Sequence, residues 1–365
     1  MRKTSKSKFC TKIKTKMTNQ QTSLPIIDVS SILDPNSHRD NQQQAATEIH
    51  QACRSWGFFY VKNHGVPLKL QEDLIKFSRN FFARSLEEKM QIDMNKGGRA
   101  WRGYFPVGNE LTSGKPDGKE GIYFGTEIND VNHPKVRNNT PLHGQNQFPS
   151  GKSDDDEFRQ VILTYMAAME SLGRAIMSAL ARSLKLDADF FDKNYFGDEP
   201  TCLFRIFNYP ASFCQQQGNE NLWGVGEHTD YGMLTLLLQD DIGGLQVKTS
   251  RNEWIQAPPI PNTFVCNIGD MLDRMTGGYY RSTLHRVRNL STTRDRLSFP
   301  FFLDPNWDAE VLPIPMEGMT NIKDDAEHRW DKSSVHTFHG TYGEYLLKKV
   351  SRVFPDLAQE QAISK

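Results

Sequence analysis

His228-Thr229-Asp230 sets an imidazole and a carboxylate two positions apart. On an extended strand such residues share a face. With one more histidine they form a two-histidine-one-carboxylate set, which holds Fe(II) on one side and leaves coordination positions open. Chance alone can supply the triplet in a chain with ten histidines and 44 acids, and a second copy exists at His38-Arg39-Asp40. That copy sits in a Gln- and Asn-rich stretch and reads as a solvated helix start. A turn precedes His228, and the β-rich run Met233 to Gln239 follows it, so a strand is expected to open there. Within residues 200–305 the other histidine is His285, in Ser282-Thr283-Leu284-His285-Arg286-Val287, and it is the expected third ligand. His336 and His339 are expected at the surface, flanking the start of a C-terminal helix.

Arg296-Leu297-Ser298 is the only strict Arg-x-Ser in the chain. In a strand its guanidinium and hydroxyl share a face and offer a carboxylate a two-pronged ion pair plus one hydrogen bond. Tyr209, in Phe207-Asn208-Tyr209-Pro210, ends an earlier strand and can add a phenol donor to the same anion.

These residues need a β scaffold. Strands are expected at Leu203–Tyr209, Met233–Gln239, Leu245–Lys248, Glu253–Ala257, Thr263–Ile268, Ser282–Val287 and Arg296–Leu303, separated by turns such as Gly243-Gly244 and Pro258-Pro259. So many short strands in succession indicate a sandwich or barrel, not alternating βαβ units. Upstream, Leu24 to Val29 and Gly57 to Val61 read as short strands. Helical spacing of apolar residues predicts helices from about Gln42 to Ser55, Leu68 to Lys89 and Glu157 to Leu186. Residues 95–152, rich in Gly, Pro and Asn, read as long loops with short strands.

Composition bounds the partners. Lys plus Arg and Asp plus Glu are both 44, which argues against a chain built to hold nucleic acid. The longest apolar run is far too short to span a bilayer, so a water-soluble chain is expected. Five scattered cysteines without a CxxC pair predict free thiols in a reducing compartment. The first twenty residues carry seven basic side chains and no acid. Lysine-rich and poor in apolar residues, they read as a disordered tail, with a mitochondrial presequence as the weaker alternative to a cytoplasmic protein.

The assembled motifs resemble the Fe(II)- and 2-oxoglutarate-dependent oxygenases, in the branch that contains isopenicillin N synthase. The resemblance runs from Leu24 to about Leu357. Besides the residues above, it rests on Leu24-Pro25-Ile26-Ile27-Asp28, Gly57-Phe58-Phe59-Tyr60-Val61-Lys62-Asn63-His64-Gly65, Arg102-Gly103-Tyr104, Lys119-Glu120 and Asn267-Ile268-Gly269-Asp270. It implies a mainly β fold with flanking helices around a double-stranded β-helix, or jelly-roll, core. It implies His228, Asp230 and His285 as iron ligands, and Arg296, Ser298 and Tyr209 as the 2-oxoglutarate carboxylate site. The implied cofactors are Fe(II), 2-oxoglutarate and O2, with ascorbate as a candidate reductant. The implied activity is hydroxylation or a related oxidation of a small molecule, by a monomer without nucleic-acid or membrane partners. Arg102, Tyr104, Phe204 and Phe301, bulky or cationic and flanking the motifs, are the candidate substrate residues. The expected layout is a tail (1–22), an N-terminal dioxygenase region (23–150), a backing helix and connection (151–198), the jelly-roll core (199–305) and a C-terminal loop and helix (306–365). Some members of this branch carry the Arg-x-Ser pair and use no 2-oxoglutarate, so an oxidase of that type is the alternative. A non-catalytic jelly-roll binding protein is a more distant one.

Overall fold

Aromatic and aliphatic side chains dominate the strand segments, as suits a pleated surface buried on both faces. The computed structural model describes residues 23–112, 115–215, 223–316, 326–329 and 332–353, so the expected tail at 1–22 lies outside the described residues. In chain order the first strands are β1 (Ile26–Asp28), β2 (Phe58–Lys62), β3 (Gly103–Phe105), β4 (Leu111–Thr112), β5 (Lys115–Pro116) and β6 (Glu120–Gly125). The rest are β7 (Thr201–Tyr209), β8 (Val225–His228), β9 (Leu234–Gln239), β10 (Leu245–Lys248), β11 (Trp254–Gln256), β12 (Thr263–Ile268), β13 (His285–Val287) and β14 (Arg296–Asp304).

Strands β1-β2-β12-β9-β14-β7-β6-β3 make one sheet, and β11-β10-β13-β8 make a smaller one. From β7 to β10 the chain switches sheets at every strand, and β12, β13 and β14 switch again. That crossing pattern is a double-stranded β-helix. Every pairing is antiparallel except β1 with β2. Residues 95–152 hold more strand than their composition suggests. β6 is buried along its whole length and pairs with β7, because its Ile122, Tyr123 and Phe124 find apolar neighbours on both faces.

Helices back the large sheet. The Asp155–Ser183 helix buries Phe158, Ile162, Tyr165, Met169, Leu172 and Ile176 along one stripe. Gly173 lets it approach β14 closely, since a Cβ there would lie 2.8 Å from Leu303 Cδ2. The helix expected over Leu68 to Lys89 is two pieces, Leu68–Phe82 and Leu86–Lys89. Ser85 breaks it: its hydroxyl accepts from the Glu88 N–H, and the Glu88 carboxylate accepts from the Ser85 N–H, a capping box that starts a new turn.

Strand alternation sorts β7 and β14 into two faces. Leu203, Arg205, Phe207 and Tyr209 of β7, with Arg296, Ser298, Pro300 and Phe302 of β14, line a cavity between the two sheets. Phe204 and Phe301 are register partners on the opposite face and fully buried. The Phe204 ring lies 5.2 Å from that of Tyr165 in the backing helix. Neither belongs to the cavity, so the expectation that they touch substrate is off by one position, and one position in a strand is a change of face. His336 also departs from expectation. Its imidazole is 4% exposed and lies 3.3 Å from the Asp273 carboxylate. Phe204→Ala should lower the unfolding free energy by about 3–5 kcal/mol, measured by urea denaturation. Phe302→Ala, on the cavity wall, should cost clearly less.

Candidate active site

β8 and β13 meet with His228 opposite His285. His228 closes β8 instead of opening a strand, and Asp230 sits in the turn before β9. The turn is held by the Asp270 N–H donating to the Asp230 carbonyl at 2.8 Å. Ligand-capable atoms of His228, Asp230 and His285 lie within 4.8 Å of one another, the one such grouping of three among the described residues. Asp230 Oδ1 is 3.8 Å from His228 Nε2 and 3.5 Å from His285 Nε2.

The surroundings point those atoms inward. His228 Nδ1 is 2.8 Å from the Gly226 carbonyl, and His285 Nδ1 is 3.1 Å from that of Thr283. A proton on each Nδ1 satisfies both carbonyls and leaves each Nε2 lone pair toward the third group. Asp230 Oδ2 accepts from Thr235 Oγ1 at 2.5 Å and Asn267 Nδ2 at 2.6 Å, so Oδ1 is left facing the imidazoles. Burial, helped by the His285 charge, pushes His228 down to about 4. Burial acts to raise Asp230, but His285 beside it holds the carboxyl well below the usual range. Burial acts to lower His285, but the Asp230 carboxylate carries it above its ordinary value. The donor set suits a divalent transition metal of the Fe(II) kind, which His285 binds only after losing its proton.

The same cavity contains Arg296, Ser298 and Tyr209. Arg296 is fully buried and is the register partner of Tyr209, whose ring lies 4.8 Å from its guanidinium carbon. Its Nε donates to the Gly243 carbonyl and its Nη2 to Gln239 Oε1 at 3.2 Å. Its Nη1 has no hydrogen-bond partner among the described residues. Ser298 Oγ donates to Tyr209 Oη at 3.5 Å. An unpaired buried donor on a cation is costly, and a carboxylate placed beside Ser298 and Tyr209 would satisfy it.

Arg102 and Tyr104 lie elsewhere. Arg102 is buried at the end of β6, donating to the Leu142 carbonyl at 2.5 Å and wedged against Gly125, where it lines a separate cleft with Glu127 and His143. Tyr104 donates to Glu120 Oε2 at 2.6 Å, and Glu120 also binds Lys89 at 2.7 Å. Both are framework residues. The cavity instead contains Glu110, Lys119, Arg205 and Asp304, and Leu346 and Val350 from the C-terminal helix. Arg205 is detectable from sequence, because it is four positions before Tyr209 and so shares its face.

A sequence model described as the non-haem dioxygenase N-terminal region in morphine synthesis matches residues 24–151, and one described as the 2OG-Fe(II) oxygenase superfamily matches 200–305. A Dictyostelium discoideum protein named "Probable iron/ascorbate oxidoreductase" is 49% identical, over 92% of this chain and 95% of its own. The chain belongs to the 2OG-Fe(II) oxygenase superfamily. It is also 42% identical to a 1-aminocyclopropane-1-carboxylate oxidase of the same organism, over 93% of this chain and 97% of that one. Among solved structures, a full-length Neurospora crassa protein in complex with alpha-KG and thymine superposes with a TM-score of 0.74 at 28% identity, covering 92% of this chain and 98% of that one. The oxygenase is an iron enzyme of the 2-oxoglutarate-using class, and no described helix is long and apolar enough to cross a membrane.

Asp230→Ala should abolish tight Fe(II) binding while leaving the fold cooperative. Asn267→Ala, which frees one carboxylate oxygen to turn, should weaken Fe(II) by about 10- to 100-fold. Anaerobic Fe(II) titration of each variant checks both. Affinity in the wild-type protein should rise with pH across neutrality, since acid restores the competing proton on His285.

Proposed function

We propose that the enzyme oxidises a small organic molecule with 2-oxoglutarate as co-substrate, using His228, Asp230 and His285 for iron and Arg296, Ser298 and Tyr209 for the distal carboxylate. The observation that carries this reading is the unpaired Nη1 of fully buried Arg296 in the cavity of the metal triad. When bound, Fe(II) activates dioxygen at the expense of 2-oxoglutarate, which leaves as succinate and carbon dioxide while oxidation passes to the substrate. The protein's own work is placement. Arg296 fixes the co-substrate's far end, Thr235 and Asn267 hold the Asp230 carboxylate, and the apolar walls from Leu203, Phe207, Phe302, Leu346 and Val350 keep water from the reacting centre. Ascorbate as the reductant that keeps iron ferrous agrees with the name of the 49%-identical relative. A cytoplasmic site of action is supported by Cys53, Cys202 and Cys266, all buried as free thiols.

A second reading, oxidation without 2-oxoglutarate, is favoured by the similarity to the 1-aminocyclopropane-1-carboxylate oxidase. There Arg296 would hold a carboxylate of the substrate itself. Truncating one partner of a buried charge pair costs about 2–5 kcal/mol, and about 1.4 kcal/mol is tenfold in binding. Arg296→Ala should accordingly raise the Michaelis constant for 2-oxoglutarate by about 30-fold or more, with the Fe(II) dissociation constant nearly unmoved. Arg296→Lys should recover only part, because ammonium cannot make the two-pronged contact. An Ala variant that keeps its 2-oxoglutarate constant but loses the prime substrate would decide for the second reading.

A further inference from the structure

The cavity contains a second arginine that the metal and co-substrate do not use. Arg205 lies on the same face of β7 as Tyr209, about 13 Å along the strand, so it is separate from the Arg296 site. Its guanidinium carbon sits 3.8 Å from the ring centre of Tyr123 and 5.4 Å from that of Phe302. Stacking between two rings fixes the plane of the guanidinium without occupying its N–H groups. Its Nε is buried and has no hydrogen-bond partner among the described residues. The nearest acid is Glu110, whose Oε1 is 3.8 Å from Arg205 Nη1. Glu110 is already engaged: Oε1 accepts from Tyr123 Oη at 2.7 Å, and Oε2 pairs with buried Lys119 at 2.8 Å. Lys119 is in turn bound by Asp117.

Phe302, beneath the guanidinium, is the register partner of Thr235, which holds the metal-binding carboxylate of Asp230. The Arg205 guanidinium therefore reaches along the large-sheet wall toward the level of the metal group, in a cavity also lined by Leu203, Phe207, Leu346 and Val350. We infer that Arg205 anchors a carboxylate of the molecule being oxidised, whose apolar remainder lies along those side chains. The inference rests on the oxygenase reading of the cavity and adds a substrate class to it: carboxylic acids with an apolar body.

The test uses the intact chain loaded anaerobically with Fe(II) and 2-oxoglutarate. The probes are short aliphatic and arylalkyl monocarboxylic acids, each paired with its primary amide, and dissociation constants are measured by titration. At least one acid should bind about 30-fold or more tightly than its amide. Arg205→Gln should erase that preference and Arg205→Lys should restore part of it, while the 2-oxoglutarate constant shifts by less than about threefold. Equal binding of every acid and its amide, or a preference that survives Arg205→Gln, would overturn the assignment. Failure of 2-oxoglutarate to bind the wild-type protein would instead sink the oxygenase reading, and the acid–amide comparison on the Fe(II) form would still decide Arg205.

Discussion

The pairing of β8 with β13 sets His228 against His285, and the pairing of β14 with β7 sets Arg296 against Tyr209. Side chains in a strand alternate between faces, so these two registers decide what the cavity contains. A slip of one residue in β14 would turn Arg296, Ser298 and Phe302 into the helical layer and bring Leu297, Phe299 and Phe301 into the metal cavity. The apolar face prevents it. Phe299, Phe301 and Leu303 are all fully buried on the side of the backing helix, and exchanging them for an arginine and a serine would strand buried polar groups. The core packing of one face thus holds the chemistry of the other.

Burying that much charge is unfavourable unless each group is answered. Around the triad the answers are local: Asp230 has Thr235 and Asn267 on one oxygen, and the imidazoles have backbone carbonyls on Nδ1. Glu110, Asp117 and Lys119 answer one another. The two arginines in the cavity are different. Arg296 and Arg205 each keep a buried nitrogen without a hydrogen-bond partner among the described residues, although each is stacked on an aromatic ring that fixes its direction. Groups left unsatisfied are where an anion gains most by binding.

Much of this was legible in the sequence because the informative residues are close in register. The two-position spacing in His228-Thr229-Asp230 and Arg296-Leu297-Ser298 reports a shared side of the chain whatever the fold, and the strand texture after Pro200 shows the class of scaffold. Asp230 reaches the triad even though it lies in a turn, because its neighbours Thr235 and Asn267 come from two other strands. What the sequence hid was the sense of the alternation away from the motifs. Phe204 and Phe301 are as bulky as their neighbours Arg205 and Phe302, and only counting in twos from Tyr209 on one strand and from Arg296 and Ser298 on the other tells which set points inward. Arg102 and Tyr104 were misleading for another reason: a buried arginine or tyrosine held by Leu142 or Glu120 looks, in one dimension, the same as one held by a ligand.

The C-terminal segment connects this chemistry to the outside. Asp270 follows the Asn267 strand and begins the Asp270–Met275 helix, and its N–H holds the Asp230 carbonyl. Its two carboxylate oxygens receive Arg329 at 2.6 Å and Tyr345 at 2.8 Å, and Asp273 one turn on takes Arg329 and His336. Tyr342 donates to Asp304, at the end of β14, at 2.5 Å. The helix Tyr342–Val353, which brings Leu346 and Val350 to the cavity, is therefore tied to the same short segment that positions the metal carboxylate. Burial lifts Asp304 to about 7, so its bond to Tyr342 joins two groups that are neutral in acid. Asp270 and Asp273 instead share the cation Arg329, a buried pairing whose truncation on one side is costly. The helix that lines one side of the cavity and the turn that carries Asp230 thus share one partner, Asp270, whose carboxylate holds Tyr345 and whose N–H holds the Asp230 carbonyl.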